Sequence, residues 1–273
     1  MKVVTAAERL AEAEQKPSIV VAGVFGIGKT SLIRSLDADR TIMVDCEAGM
    51  LPVRDWPGRS VSIRRFSDFV DIACLAGGVD PAATESEFFS AAHYEHVHKV
   101  HCDLDLAGAD TFFIDSLTEI TRLALIWAQT QPSSFSERTG KPDLRSAYGL
   151  MANEMMRTLR HLQHAPARTV VFVCGVQRDS DNPGRWELQL EGNKVGRELP
   201  FVTDEVLVLD LFDWTESGWQ HAPGTGEHRA FCCRSPNSWS LPAKDRSGRL
   251  EVIEEPHLGR LIAKITGTVT RED

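Results

Sequence analysis

The stretch Gly23-Val24-Phe25-Gly26-Ile27-Gly28-Lys29-Thr30 constrains this chain more than any other. It spells G-x-x-x-x-G-K-[ST] directly after the apolar run Ile19-Val20-Val21-Ala22. Glycines let backbone N–H groups close around phosphate oxygens, and a helix opening at Lys29 points its positive dipole end at them. The pattern implies a bound nucleoside triphosphate, with ATP and Mg²⁺ as the expected cofactors. Gly23, Phe25, Gly26, Ile27, Gly28, Lys29, Thr30 and Ser31 are the expected nucleotide contacts. Lys29 would reach the β- and γ-phosphates, and the Thr30 hydroxyl would ligate Mg²⁺. Lys29 to Leu36 reads as a helix carrying Leu32, Ile33 and Leu36 on one side.

Two further strand ends carry carboxylates. Thr41 to Val44 is an apolar strand ending in Asp45-Cys46-Glu47, and Thr111 to Ile114 is another ending in Asp115. Ligands of open α/β sheets gather at such strand ends. Asp115 is the expected Mg²⁺-side carboxylate, acting through water. Glu47 is the expected base for an attacking water, and Asp45 is an alternative for the same task. Gln177, just past the strand Thr169 to Cys174, stands where a polar side chain can sense the γ-phosphate.

Strands alternate with helices over residues 18–212, which implies a mostly parallel twisted sheet with helices on both faces. Helices are expected at Ser67 to Ala76, Glu85 to Val100, Leu117 to Ala128 and Leu144 to His164, and a strand at Ser60 to Phe66. The polar stretch from Arg178 to Pro200 reads as loop, and Val206 to Phe212 as the strand that closes the sheet. The expected organisation is an N-terminal helical lead over residues 1–16, a core over 17–213 and a small β-rich C-terminal extension over 214–273 packed on the core. That extension holds short strands at Arg229 to Cys233 and Leu250 to Ile253, and a final helix near His257 to Ile265.

At 273 residues and 42% hydrophobic content the chain can bury one large core. No apolar run nears the ~20 residues that cross a bilayer, and the N-terminus lacks the pattern of a signal peptide. A cytosolic protein with no membrane partner follows. Six scattered cysteines without a C-x-x-C pair read as reduced thiols. A net charge of −9 excludes a protein that coats nucleic acid with its whole surface, so any DNA contact is local. His93, His96, His98 and His101 lack zinc-site spacing and read as a polar helix face.

The order of these parts resembles the core of RecA-type recombinases, and more closely the core-only RecA-like single-strand annealing ATPases of bacteriophages. The carrying motifs are the phosphate loop, Asp45-Cys46-Glu47-Ala48-Gly49 and Ile114-Asp115-Ser116-Leu117-Thr118, across roughly residues 17 to 265. The resemblance implies a RecA-like P-loop fold and a DNA-stimulated ATPase that binds single-stranded DNA and promotes annealing in recombination. It matches Glu47 to the catalytic glutamate, Asp115 to the magnesium-side aspartate and Gln177 to the residue coupling γ-phosphate to DNA. Segments 129–146 and 178–200 would face DNA, a single-strand DNA-binding protein would be a partner, and a phage protein would act in the bacterial cytoplasm. The long recombinases' N-terminal polymerisation domain and separate C-terminal domain have no counterpart, so filament formation and full strand exchange are not implied.

Lys244-Asp245-Arg246 is similar to the Lys-x-Arg pair by which RecA-fold ATPases of the RadA, DnaB and KaiC kind reach a neighbour's γ-phosphate. Lys244 and Arg246 would then be catalytic in a homo-oligomer, ring or filament, with ATP between subunits. A phosphate-contact patch and a plain basic turn are the other readings of these residues. Two other functions stay open: a hexameric DNA motor or helicase-type ATPase, and a nucleotide-dependent regulatory or assembly ATPase that does not process DNA.

Overall fold

The structure, a computed structural model, describes residue 5, residues 16–165 and residues 167–268. The expected helix over residues 1–16 falls almost wholly outside the described residues. In chain order the strands are β1 (Ser18–Gly23), β2 (Thr41–Asp45), β3 (Arg59–Ser62), β4 (Thr111–Asp115), β5 (Thr169–Arg178), β6 (Trp186–Gln189), β7 (Glu205–Thr215), β8 (Gly218–His221), β9 (His228–Cys232), β10 (Lys244–Asp245) and β11 (Ile253–Glu254). They form one sheet whose main path runs β11-β9-β7-β1-β5-β4-β2-β3, with β6 paired to β5 and β8 and β10 paired to β7 off that path. From β7 to β3 the neighbours are parallel, while β9 and β11 each add antiparallel.

The central strands are apolar on both faces, and this sets the architecture. Along β1, Ile19 and Val21 join one core while Val20 and Ala22 join the other. The same period of two sorts Phe112 and Ile114 from Phe113 on β4, and Phe172 from Val171 and Val173 on β5. A strand buried on both sides needs cover on both sides. Helices α1 (Phe66–Gly77), α2 (Ala91–Val100), α3 (Leu117–Gln129), α4 (Leu144–Gln163) and α5 (Asn193–Val202) supply it on one face. The 3-10 helix Thr30–Ser35 and α6 (Leu258–Thr266) supply it on the other. Each fully buried Val, Ile or Phe contributes roughly 1.5–3 kcal/mol.

Several expectations are corrected. The helix expected from Lys29 is a single 3-10 run, Thr30–Ser35. The strand expected over Ser60 to Phe66 ends at Ser62, because Phe66 opens α1. The helix expected from Glu85 begins only at Ala91, capped by Ser90, because Phe89 takes φ 67° to bury its ring against His161. The stretch 178–200 is not loop: β6 folds back on the end of β5, and α5 follows with Val195 and Leu199 buried. Residues 206–212 do not close the sheet. They lie inside it between β1 and β9, as a run with Val206 through Leu209 fully buried must.

Glu205, at the start of β7, is wholly buried. Burial pushes its carboxyl up to about 7, with Asp245 and Asp204 adding to the shift, although the Ser247 and Arg246 amides donate to it. The folded protein thus holds a proton that the unfolded chain has lost above its ordinary value of 4.5, and stability falls as pH rises from about 4.5 through 7. Glu205→Gln removes this contribution, so the melting temperature should fall less steeply between pH 5 and 8 than in the wild type. Parallel slopes in thermal melts would show that Glu205 does not titrate there.

Candidate active site

β1 ends at Gly23, where a Cβ would stand 2.7 Å from the Leu209 carbonyl oxygen of β7. Only glycine lets the chain leave the sheet at this spacing. The loop then turns through Gly26 at φ 75° and Gly28 at φ 95°, conformations that side chains other than glycine rarely adopt. Lys29 folds back over this loop and donates to the carbonyls of Gly23 at 2.8 Å and Val24 at 2.9 Å. Burial pulls the Lys29 ammonium below its ordinary value, and the charges of Asp115 and Glu47 pull it back up. Phe25 projects from the loop tip, 96% exposed; the Ile27 side chain packs on the core behind, and Ser31 follows Thr30 in the 3-10 helix.

β4 is separated from β1 by β5, yet Thr30 Oγ1 donates to Asp115 Oδ2 at 2.6 Å. Burial pushes the Asp115 carboxyl up to about 6; the Thr30 hydrogen bond opposes this and Glu47 reinforces it. Asp45 pairs in register with Asp115 across β2 and β4. Its Oδ1 accepts from the amides of Glu47 at 3.2 Å and Gly49 at 3.0 Å, so Asp45 holds the turn. Glu47 is carried out to the exposed side of that turn, where the Ser116 hydroxyl donates to its Oε1. The structure therefore brings Lys29, Thr30, Asp115 and Glu47 together.

These residues fit a magnesium nucleotide. An open glycine loop offers amides to phosphate, Lys29 offers a cation beside them, and Thr30 with Asp115 offers two oxygens to the metal side. Mg²⁺ keeps several waters and phosphate oxygens as ligands, so it needs no all-protein cage. A bound nucleotide would supply the phosphoanhydride bond, and Glu47, at the rim, is the carboxylate that could orient water toward it. Elsewhere, His93 and His101 turn to Asp71 at 3.7 and 2.9 Å, and His98 to the Tyr94 hydroxyl. Among the described residues no three His, Cys, Asp or Glu side chains gather as a metal site.

Gln177 lies two residues beyond Gly175, the partner of Gly23, and its Nε2 donates to Glu187 at 2.9 Å. It lines a cavity of about 640 Å³ beside the site. Lys244 and Arg246 are not brought to this chain's phosphate loop. β10 pairs with the start of β7, level with the start of β1 and so at the other end of the strands from the phosphate loop. There Lys244 Nζ donates to the carbonyls of Pro200 and Thr203, and Arg246 pairs with Asp204 at 2.9 Å.

Three residues that the motifs left without a role belong to the site's surroundings. Ser116 caps α3 and holds Glu47. Thr118 Oγ1 accepts from the Gly175 amide and donates to the Gln189 carbonyl, which ties β5 and β6 to α3. Arg229 on β9 donates to the Ile27 carbonyl at 3.3 Å. The Asp115-Ser116-Leu117-Thr118 run signalled the first two; nothing local signalled Arg229.

A phosphate loop at the end of a central parallel strand, with a carboxylate on a nearby strand end, defines a P-loop nucleoside triphosphatase. The family described as AAA domain matches residues 15–247, and the chain belongs to it. It is an AAA-type P-loop ATPase. No curated protein sequence matches the chain. Among solved structures it is similar to a prototypical ATPase from the type III secretion system of pathogenic bacteria, with 16% identity, 71% of this chain and 51% of that one covered, and a TM-score of 0.37. The chain thus spans about half the length of that protein. No described helix is long and apolar enough to cross a membrane.

Thr30→Ala should weaken MgATP binding by about tenfold to a hundredfold, the range for one hydrogen bond to a charged partner. Isothermal titration with and without Mg²⁺ checks this: the loss should be confined to the Mg²⁺ condition. An equal loss without Mg²⁺ would place Thr30 on phosphate alone.

Proposed function

We propose that this ATPase binds single-stranded DNA under the control of ATP and promotes annealing in DNA recombination, as a homo-oligomer with nucleotide between subunits. What carries the reading is one short segment, Asp115 to Thr118. At one end Asp115 holds Thr30 and Ser116 holds Glu47; at the other, Thr118 binds Gly175 and Gln189 and lines the cavity with Gln177. A change at the γ-phosphate thus has a four-residue path to the cavity wall.

The cavity chemistry suits a nucleic-acid strand. Arg122, Lys194 and Tyr148 line it with Gln177 and Glu191, giving two cations against one carboxylate, which pairs with Arg122 at 3.9 Å, and an aromatic ring. Arg178 stacks on Trp186 at 3.9 Å beside it. Arg122 is held by Glu119 at 3.2 Å, and Lys194 by Asn153 at 2.8 Å and Glu198 at 4.0 Å, so phosphates would replace these partners. Such a local pair of cations is compatible with the net charge of −9. In an oligomer Arg246, with 47% of its side chain exposed, is freer to reach a neighbour's nucleotide than Lys244, which is tied to two carbonyls.

ATP hydrolysis with and without single-stranded DNA, at fixed salt, tests the proposal. Strong stimulation is expected, lost in Lys29→Ala and Arg246→Ala. Arg122→Ala or Lys194→Ala should weaken DNA binding and lower its salt slope by about one. Hydrolysis indifferent to DNA would overturn the DNA reading and favour a regulatory or assembly ATPase.

A further inference from the structure

Arg229 sits opposite Leu211 on β7, two pairs along from Leu209 and Phe231 and so on the same face of the sheet. Directly opposed residues share a face, and Leu209 and Phe231 pack in the same core as Leu32 and Ile33 of the 3-10 helix. Arg229 is thereby aimed at the phosphate loop. Its Nη1 reaches the Ile27 carbonyl at 3.3 Å and lies 2.5 Å from where a Cβ on Gly28 would be. The guanidinium therefore rests directly against the residue that precedes Lys29.

Two observations indicate that this carbonyl is not the guanidinium's final partner. The contact is long for an N–H···O bond, whose usual distance is about 2.9–3.0 Å. Among the described residues no carboxylate lies within ion-pair distance of Arg229, whereas Arg34, Arg65, Arg122 and Arg246 each have one. The site also lacks positive charge: Asp45, Glu47 and Asp115 converge on it, and Lys29 is the single cation that the motif itself supplies. A triphosphate, even with its Mg²⁺, adds net negative charge. A guanidinium offers the planar fork of donors that binds phosphate oxygens in pairs.

We propose that Arg229 is a phosphate ligand of the bound nucleotide, supplied in cis by the C-terminal strands, which exchanges the Ile27 carbonyl for phosphate oxygens. This deepens the nucleotide reading and rests on it. It also gives β9 a function beyond widening the sheet. Its side chain supplies the second positive charge over the loop, where Lys29 alone faces three carboxylates.

Calorimetric titrations of the full chain with MgATP and with inorganic tripolyphosphate test this, using wild type, Arg229→Ala, Arg229→Lys and Lys29→Ala. Arg229→Ala should weaken both ligands by about tenfold or more. Arg229→Lys should recover part of the loss, and the ligand-free melting temperature should stay that of the wild type. Unchanged affinity in Arg229→Ala would overturn the proposal. So would a loss for MgATP but not tripolyphosphate, which would assign the arginine to base or ribose. A lowered ligand-free melting temperature with equal losses in both Arg229 variants would make it a support of the loop instead. If the wild type itself binds neither ligand while folded, the nucleotide reading falls, a result distinct from a failure at Arg229 alone.

Discussion

The hydrogen bond from Thr30 to Asp115 is the constraint on which the site depends. It joins the phosphate loop after β1 to the end of β4 across an intervening strand. For it to form, the two strands must end within a few residues of each other. The register does this: Gly23 is opposite Gly175, and Asp115 opposite Val173, so the ends of β1 and β4 differ by two positions on β5. That register is fixed in turn by side chains buried on both faces, where a slip of one residue would exchange the two cores. Core packing and site geometry are one problem here.

Much of this was legible in the sequence because the central strands are continuous apolar runs. Ile19 to Ala22 and Thr111 to Ile114 can be little else, and glycine spacing and the terminal carboxylates mark where they end. Lys29, Thr30, Asp115 and Glu47 follow from the same motifs and are gathered by the fold. What stayed hidden depends on contacts between distant residues. Trp186, Leu188, Val195 and Leu199 lie among charges, and their pattern acquires meaning only when β5 runs on to Arg178 and gives them a surface. Phe88 and Phe89 continue a helical pattern, yet stacking of Phe89 on His161 with centroids 3.9 Å apart ends it. Arg229 meets a backbone carbonyl 202 positions away, a partner that no spacing rule can reveal.

The electrostatics of the site are arranged around anticipated charge. Partial burial lowers the affinity of Lys29 for its proton, although two carbonyls accept from its ammonium, and Asp115 is buried enough to raise its own. Each group is thus poorly solvated, and a bound Mg²⁺ and phosphate would relieve both. The same logic explains the division between the two carboxylates of the second strand end. Asp45 is consumed by backbone amides and shapes the turn, which leaves Glu47 outside it on the serine that begins α3.

The central claim is that the nucleotide site and the cavity near Gln177 are mechanically one unit, joined by residues 115–118. Hydrogen exchange of the full chain, with and without a non-hydrolysable magnesium nucleotide, measures this most directly. Slowed exchange both in residues 24–31 and in residues 186–194 is the result the account predicts. Protection confined to the phosphate loop, with 186–194 unaffected at saturating nucleotide, would contradict it.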